Sequence, residues 1–313
     1  MAIIPCPPPR TDPYAPGRGQ EGAGGWPGRK MAKVFRPARH ADEHVEEAGM
    51  TLEQAAQAAG GLEWVHQPAS FGAEADLQYG LELLAAAKQG RLGPTMRVYR
   101  PAPTVAFGQR DAHLPGFQEA ARRCRELGFE PLVRKAGGRA AAYHEGCLVL
   151  DHVEPLADAI AGAKRRFSQF GELIAGGLRD AGVLAAVGEI PGEYCPGEFS
   201  IHGAYALDPL RRVKLVGTAQ RVVAGAWLFS SVVVVQDSAP LREVLTASYD
   251  ALGLDWDPAT AGSAEDLVPG LSVATVEQSL RTAYSGHAEV RDGAFGELVG
   301  RVPAPVVVRV QPA

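Results

Sequence analysis

The sequence lacks three features that would each have assigned it to a class of proteins. Its four cysteines, Cys6, Cys124, Cys147 and Cys195, form no CxxC pair and follow no regular spacing, which argues against a structural zinc site or a disulfide framework. No run of about 18 apolar residues is present, and the first residues, MAIIPCPPPR, lack the long apolar core of a secretory signal. We therefore expect no membrane span, no bound metal and a place in the reducing cytoplasm.

Basic residues are not in excess either. The formal net charge is -5, which argues against a general nucleic-acid binder, although a local basic patch is compatible with it. Hydrophobic residues make up 46% of the 313 positions and charged residues 21%, as in ordinary globular proteins. The chain is thus long and apolar enough to bury a sizeable core, in one large domain or in two unequal ones.

Proline and glycine are abundant at the start of the chain. Residues 1–45, which include PCPPPRTDPYAPGRGQ, cannot bury enough apolar surface to offset the entropy lost on ordering them. We interpret them as a disordered leader, or as the product of a start codon placed too early, and give Cys6 no role. We expect the main folded domain to span 60–250 and a small C-terminal element to span 251–313.

Hydrophobic periodicity predicts an α+β mixture whose strands cluster in the middle of the chain. Amphipathic spacing predicts helices over ADLQYGLELLAAAKQG, over LPGFQEAARRCRELG and from about Leu156 to Ala181. Short apolar runs predict strands at RVYR, TVAFGQ, PLVRKA and CLVLDHV, followed by a β-rich stretch from Val213 to Gln236 with hairpin-like glycines at Gly217 and Gly225. Beyond Pro240 we expect one or two helices and a final strand, PVVVRV.

The segment EYCPGEFSI places Cys195 in a loop, because prolines and glycines flank it on both sides. A free cysteine is usually a small buried hydrophobe, and that interpretation suits Cys124, on an apolar helix face, and Cys147, within CLVLDHV. A thiol held on irregular backbone near cations is instead the setting for nucleophilic chemistry. Cys195 is therefore the candidate nucleophile.

A lysine lies downstream of that loop, in KLVGTAQR. Lys214 stands inside an apolar strand, where an ammonium is costly unless it reaches a partner or water. It could lie on an exposed strand face with its head in solvent, or it could place a cation near Cys195. A thiolate beside a cation is the minimum needed to move an acyl group through a thioester.

The segment RKAGGRAAAYHEG joins a glycine-rich turn to basic residues. Gly137 and Gly138 allow positive φ and close approach of the backbone to a ligand, while Arg134 and Arg139 could bind a phosphate, a carboxylate or an acidic partner. A tight hairpin turn with a solvated basic rim explains the same pattern. His144, just after the turn, could be a general base or a substrate contact, although a lone histidine is more often structural.

Three motifs in this order, PAPTVAFGQRD, RKAGGRAAAYHEG and KLVGTAQR, resemble the lipoate–protein ligase A and octanoyltransferase family. The resemblance covers roughly Gly61 to Gln236. It implies a mixed β-sheet flanked by helices, the fold of the biotin/lipoate protein ligase catalytic domain, so that 60–250 would be the catalytic domain.

Carried over to this sequence, the resemblance gives the motif residues roles. Lys214, with Gly217 in the same motif, would contact the acyl carbonyl or the phosphate of an activated acyl group. The residues Gly137, Gly138 and Arg139 would line an acyl tunnel beside Arg134, and His144 would close its end. This sequence departs from the family where Arg139 replaces a frequent third glycine, and where the connection HGAYALDPLRR is longer than expected.

The family contains two chemistries, and the sequence is compatible with both. Transferases with a cysteine before the lysine motif, which EYCPGEFSI resembles, need no cofactor: they take octanoyl or lipoyl from an acyl carrier protein or a lipoylated protein and pass it to a lysine of a lipoyl-domain protein. Ligases use lipoate and ATP and form an acyl-adenylate. A third possibility is an inactive member that binds an acyl group without turnover. We expect the transferase, with Cys195 and Lys214 as its catalytic residues.

Overall fold

An eight-stranded mixed sheet forms the centre of the part of the chain that the computed structural model describes, residues 61–135 and 137–305. The strands, in chain order, are β1 (Leu62–His66), β2 (Thr95–Tyr99), β3 (Thr104–Phe107), β4 (Glu130–Val133), β5 (Ala141–Tyr143), β6 (Cys147–Leu156), β7 (Leu184–Val187), β8 (Ile201–Tyr205), β9 (Asp208–Val223), β10 (Gly225–Val234) and β11 (Val290–Gly293). The large sheet has the spatial order β11-β1-β2-β6-β10-β9-β8-β7, and β4-β3-β5 form a small second sheet. Only β1 pairs in parallel within the large sheet, with β11 and with β2, so the sheet is mixed as expected.

The described helices cover both faces of this sheet. They are α1 (Ala73–Lys88), α2 (Phe117–Glu126), α3 (Ala163–Asp180), α4 (Ser238–Leu252), α5 (Ala264–Leu267), α6 (Val273–Ser285) and α7 (Phe295–Arg301). Helices α3 and α6 close one face over an aromatic core that includes Phe170, Trp227 and Tyr284. Helix α1 packs on β6 and β10 on the other face, so that these two central strands are buried on both faces. None of the described helices is long and apolar enough to cross a membrane.

The small sheet and two helices build a second core on the same face of the large sheet as α1. Helix α2 packs against α4, and its buried stripe contains Cys124, as the amphipathic pattern predicts. Cys147 and Val234, paired across β6 and β10, also belong to this core. Because β3–β5 stand away from the large sheet, the space between the two sheets stays open, and it becomes the cavity described below.

Three expectations about local structure are wrong. In place of the one or two helices expected beyond Pro240, the described chain has four, α4 to α7, because short turns divide this part of the chain. The helix expected from about Leu156 begins at Ala163, because Glu154–Leu156 continue β6 and pair with Gly225–Trp227 of β10. Gly217 is not in a hairpin turn but in the middle of β9, opposite Val232, whereas Gly225 does end the β9–β10 turn, with φ 92°. The leader 1–45, Cys6 and positions 306–310 of the expected last strand lie outside the described residues.

Candidate active site

A cavity of about 790 Å³ lies between the large sheet and the small one. Its walls come from α1, β2, the β4–β5 connection, the loop before β8, and the strands β6, β9 and β10. Of the residues singled out in the sequence, it is lined by Arg134, Gly137, Gly138, Cys195, Lys214 and Gly217. The tertiary structure therefore brings the three motifs together around one space large enough for a small organic group.

Cys195 lies on the wall of this cavity in a strained loop. Its φ is 43°, in the left-handed region that a residue with a Cβ rarely adopts, and its side chain is half-buried. Its Sγ accepts the backbone N–H of Arg139 at 3.2 Å and Nη2 of Arg134 at 3.4 Å. Two donors, one of them cationic, therefore converge on the sulfur, an arrangement that favours negative charge there.

The cation beside the sulfur is Arg134, not the lysine favoured by the sequence. Nη2 of Arg134 also donates to the carbonyl of Arg139 at 2.8 Å, which fixes the guanidinium against the glycine-rich turn. Its Nε is buried and has no hydrogen-bond partner among the described residues. A guanidinium held in place with a spare N–H can donate a further hydrogen bond to an oxygen of a substrate.

Lys214 holds the cysteine loop through hydrogen bonds to its main chain. Its Nζ donates to the carbonyl of Cys195 at 2.7 Å, to the carbonyl of Tyr194 at 3.0 Å and to Oε1 of Glu193 at 3.0 Å. The side chains of Lys214 and Glu193 are 2% and 0% exposed, so this is a fully buried ion pair. All three ammonium protons are used, and the lysine touches the backbone of Cys195 rather than its sulfur.

Tyr249 also holds the cysteine loop, and no sequence pattern predicts this contact. Its hydroxyl accepts the backbone N–H of Cys195 at 2.7 Å and donates to the carbonyl of Ala140 at 3.1 Å. Burial raises the pKa of this hydroxyl, so it stays protonated and keeps its donor. It lies on the apolar face of α4, where a tyrosine looks like an ordinary core residue. Glu193, also missed, is the first residue of EYCPGEFSI, and nothing in that segment marks it as the partner of Lys214.

The glycine-rich turn approaches the sulfur closely. Gly138 has φ 106°, and a Cβ there would lie 2.9 Å from Sγ of Cys195 and 2.4 Å from Nη2 of Arg134. A Cβ on Gly217 would meet no atom within 4 Å, so this glycine leaves open space in the wall of the cavity. Gly138 is therefore needed for the conformation of the turn, and Gly217 in β9 leaves room for a ligand.

Two predicted residues do not line the cavity. The side chain of Arg139 turns to Asp111 and forms an ion pair at 2.9 Å, so only its backbone N–H reaches the sulfur. His144 is buried behind the wall, where its Nδ1 accepts the N–H of Gly146 at 2.8 Å and its Nε2 faces the carbonyl of Asp237 at 2.9 Å. The closing of an acyl tunnel by His144 therefore stays a prediction.

The other two described cysteines are unsuited to nucleophilic chemistry. Cys124 and Cys147 are 0% exposed and belong to the core. Burial raises the pKa of the Cys147 thiol to about 12 and also raises that of Cys124, so both stay neutral. Among the three cysteines that the structure describes, only Cys195 lines the cavity.

A buried arginine stabilises the far wall of the cavity. Arg97 on β2 donates to Asp76 of α1 at 2.6 Å and to Asp151 of β6 at 2.9 Å, and its guanidinium lies 3.9 Å from the ring centre of Tyr99. Asp76, Asp151 and Tyr99 all line the cavity. This network ties α1 to the sheet, and no sequence motif indicated it because its members are far apart in the chain.

We expect Gly138→Ala to disable the site more than it destabilises the fold. The positive φ costs roughly 1–2 kcal/mol for alanine, and the added Cβ must displace Arg134 or Cys195. Gly128→Ala is the matched control, because Gly128 also has a positive φ, 82°, but an added Cβ meets nothing within 4 Å. Thermal unfolding should show similar losses in both variants, and acylation of the enzyme should fall only in Gly138→Ala. Equal acylation in the two would contradict this role of the turn.

The fold and this site together define an α+β enzyme domain with a substrate cavity and an accessible cysteine on its wall. The chain belongs to the lipoyl protein ligase A/B catalytic domain family, whose model matches residues 73–285. That match confirms the family expected from the three motifs.

Curated relatives in this family are acyltransferases. An octanoyl-[GcvH]:protein N-octanoyltransferase of Exiguobacterium sp. is 30% identical over 65% of this chain and 72% of its own length. One from Geobacillus kaustophilus is 27% identical over 60% of this chain and 63% of its own length. A lipoyl-[GcvH]:protein N-lipoyltransferase of Listeria monocytogenes is 25% identical over 57% of this chain and 66% of its own length.

Solved structures confirm the fold. A lipoate-protein ligase A bound with ATP has a TM-score of 0.57 at 18% identity and covers 75% of this chain and 88% of its own. A lipoate protein ligase from T. acidophilum with bound lipoic acid has a TM-score of 0.54 at 20% identity and covers 77% and 94%. At these identities the likeness extends to the fold alone, and the mixed sheet with flanking helices is the fold that the motifs implied.

Proposed function

We propose that this protein is an acyltransferase that moves an octanoyl or lipoyl group to a lysine of a lipoyl-domain protein through a thioester on Cys195. The observation that carries the proposal is the convergence of two hydrogen-bond donors on the only described cysteine that lines the cavity. The names of the curated relatives support the acyl group and the lipoyl-domain partner. The acyl chain would lie in the cavity, and the reacting carbonyl beside Cys195.

The reaction would run in two steps. The Cys195 thiolate attacks the acyl carbonyl of the donor, the bond to the donor breaks, and the departing amine or thiol takes a proton. The lysine amine of the acceptor then attacks the thioester, the carbon–sulfur bond breaks, and the amine gives up a proton as the thiolate is restored. Arg134 and the N–H of Arg139, which already point at the sulfur, are the donors nearest to the oxyanion of each step.

The role of Lys214 in this mechanism is to position the loop. Its three donors are all engaged by Glu193, Tyr194 and Cys195, which leaves none for an acyl carbonyl. This differs from the contact with substrate that the family resemblance implied. A rigid nucleophile is valuable because the reacting atoms must be held near their attack geometry.

The proposal is tested by following one octanoyl group without ATP. Mixing the protein with an octanoylated lipoyl domain or octanoyl-acyl carrier protein should give an adduct of one octanoyl mass that hydroxylamine removes, followed by transfer to an unmodified lipoyl domain. The two donors distinguish the source of the acyl group. If instead free lipoate and ATP were required and pyrophosphate were released, the ATP-dependent ligase would be correct. Binding of octanoate without any adduct or adenylate would indicate an inactive acyl-binding member.

A further inference from the structure

In the described part of the chain, no strand pairs with the outer edge of β9 over its last seven residues, 217–223. Strand β8 pairs with β9 only from Asp208 to Val216. On the opposite side, β10 pairs with β9 from Val216 to Val223. Within 61–135 and 137–305, no strand pairs with the outer edge of residues 217–223. A gap, here called the notch, therefore lies beside residues 217–223 of β9. A strand in this gap would continue the line of β8 beyond its first residue, Ile201.

Main-chain N–H and C=O groups alternate between the two sides of a strand, so the pairing of β10 with β6 shows which groups of β9 face this notch. The N–H of Val235 donates to the carbonyl of Gly146, which continues the β10–β6 register. Since main-chain groups alternate between the two sides of a strand, even-numbered residues of β10 bond β9. Their partners are the odd-numbered residues of β9 from 217 to 223. The N–H and C=O groups of Thr218, Gln220 and Val222 therefore point outward, and in the described part of the chain no main-chain group bonds them.

This edge is continuous with the candidate active site. Residues 217–221 line the same cavity as Cys195. The hydroxyl of Thr218 donates to the carbonyl of Phe199, four positions beyond the cysteine, and the Phe199 ring stacks on Phe167 at 5.2 Å. The side chains of Thr218 and Gln220 bond Phe199, Ala163 and Arg166, so they do not cover the outward main-chain groups. A strand laid along the notch would end beside the cysteine.

We propose that the uncovered edge of β9 binds the acceptor protein by adding the extended segment that carries the target lysine as a further strand. This inference rests on the proposed function, because the thioester must be reached by a lysine on another protein. Side chains alternate along a strand, so one face of the added segment would point its lysine towards the cavity. Recognition through main-chain hydrogen bonds is independent of most side chains, which suits an enzyme that modifies lipoyl domains of different sequence.

Amide hydrogen exchange at single residues tests this directly on the unmodified enzyme. The amides of Thr218, Gln220 and Val222 should exchange fast in the free protein, while those of Ala219 and Arg221, bonded to β10, exchange slowly. Saturation with a lipoyl domain whose target lysine is replaced by arginine should protect the three outward amides. Outward amides that stay fast in the complex would overturn the proposal. The proposal would also be overturned if the outward amides already exchanged slowly in the free protein. If that slow exchange depended on enzyme concentration, the occupant of the edge would be a second copy of this chain.

A proline variant adds a functional readout. Val222→Pro removes one outward N–H that no described group uses, which edge strands tolerate. It should raise the KM for the lipoyl-domain acceptor by roughly tenfold, the value of about one main-chain hydrogen bond, with an unchanged rate of acylation from a small octanoyl thioester. Val187→Pro is the control. Val187 lies on the edge strand β7, away from the cavity, and is, like Val222, a partly buried valine packed on the core. Its N–H points away from β8, because the N–H of Gly188 donates to the carbonyl of Ser200 and main-chain groups alternate between the two sides of a strand.

The outcomes separate this inference from the proposed function. If no thioester forms in the wild type, the proposed function fails, whatever the exchange data show. If the thioester forms and Val222→Pro uses the acceptor as well as Val187→Pro does, only the strand addition is overturned. The strand addition would also be overturned if Val222→Pro lost as much transfer activity towards a small amine as towards the lipoyl-domain acceptor. Such equal losses would indicate a damaged nucleophile rather than lost docking.

Discussion

Replacing Cys195 by serine should abolish the octanoyl adduct and reduce transfer to a lipoyl domain by roughly a thousandfold or more, because a hydroxyl is a weak nucleophile without a base, and the described contacts of this side chain are donors, Arg134 and the N–H of Arg139. The exchange of sulfur for oxygen leaves the loop almost unchanged in size. The backbone bonds from Cys195 to Tyr249 and Lys214 do not involve the side chain, so they remain. Intact mass after mixing with an octanoylated donor measures the adduct, and thermal unfolding shows that the fold survives.

Cys124→Ala is the matched control for that experiment. It removes a thiol of the same kind from a core position at 0% exposure, outside the cavity. It should lose some stability through the small void it leaves, yet accept one octanoyl group as the wild type does. Full transfer by Cys195→Ser would refute the thioester mechanism, and an adduct lost in both variants would point to unfolding rather than to chemistry.

Replacing Lys214 by methionine should destabilise the protein by about 3–5 kcal/mol, the cost of leaving one member of a buried ion pair without its partner. Glu193 would be left at 0% exposure without its cationic partner, with only neutral donors near it. The carbonyls of Tyr194 and Cys195 would lose their donor, so the cysteine would no longer be held in its left-handed conformation. Chemical denaturation measures the free energy of unfolding, and the rate of acylation measures the effect on the nucleophile.

A second substitution separates the two consequences. Adding Glu193→Gln to Lys214→Met removes the unpaired buried charge and should recover most of the lost stability. It does not restore the two donors to the loop, so acylation should stay slow. If the double variant regained both stability and rate, Lys214 would serve only to neutralise Glu193. If Lys214→Met kept the stability of the wild type and lost only rate, the contact with the acyl group implied by the resemblance would be favoured.

The sequence pointed to parts of the site through local signals. Two glycines between basic residues indicated a backbone that comes close to something, and Gly138 does approach the sulfur of Cys195. Proline and glycine around Cys195 indicated a loop, as the structure has it. Apolar residues at helical spacing predicted that Cys124 lies on the buried face of a helix, and it does. Each of these signals depends only on the conformational preferences of neighbouring residues, so a single sequence carries it.

Local sequence signals do not predict contacts between segments that are distant in the chain. Tyr249 follows Cys195 by more than fifty positions and resembles any buried aromatic residue, yet it bonds the N–H of the cysteine. Arg134, a surface residue by pattern, supplies the cation that the sequence assigned to Lys214. Local periodicity predicts a helix from about Leu156, but pairing with Gly225 makes Leu156 the end of β6. In each case the deciding partner comes from another part of the chain.

The sequence by itself determined the α+β class, the family and the candidate nucleophile, since periodicity, glycine placement and motif order are written in neighbouring residues. Only the tertiary structure decided which cation faces the sulfur, which side chains hold the loop and which strand edge is left open. Those features depend on the register of strands and on the direction of buried side chains. Hydrogen bonds and ion pairs act over a few ångströms, so they exist only once the folded chain has brought their partners together.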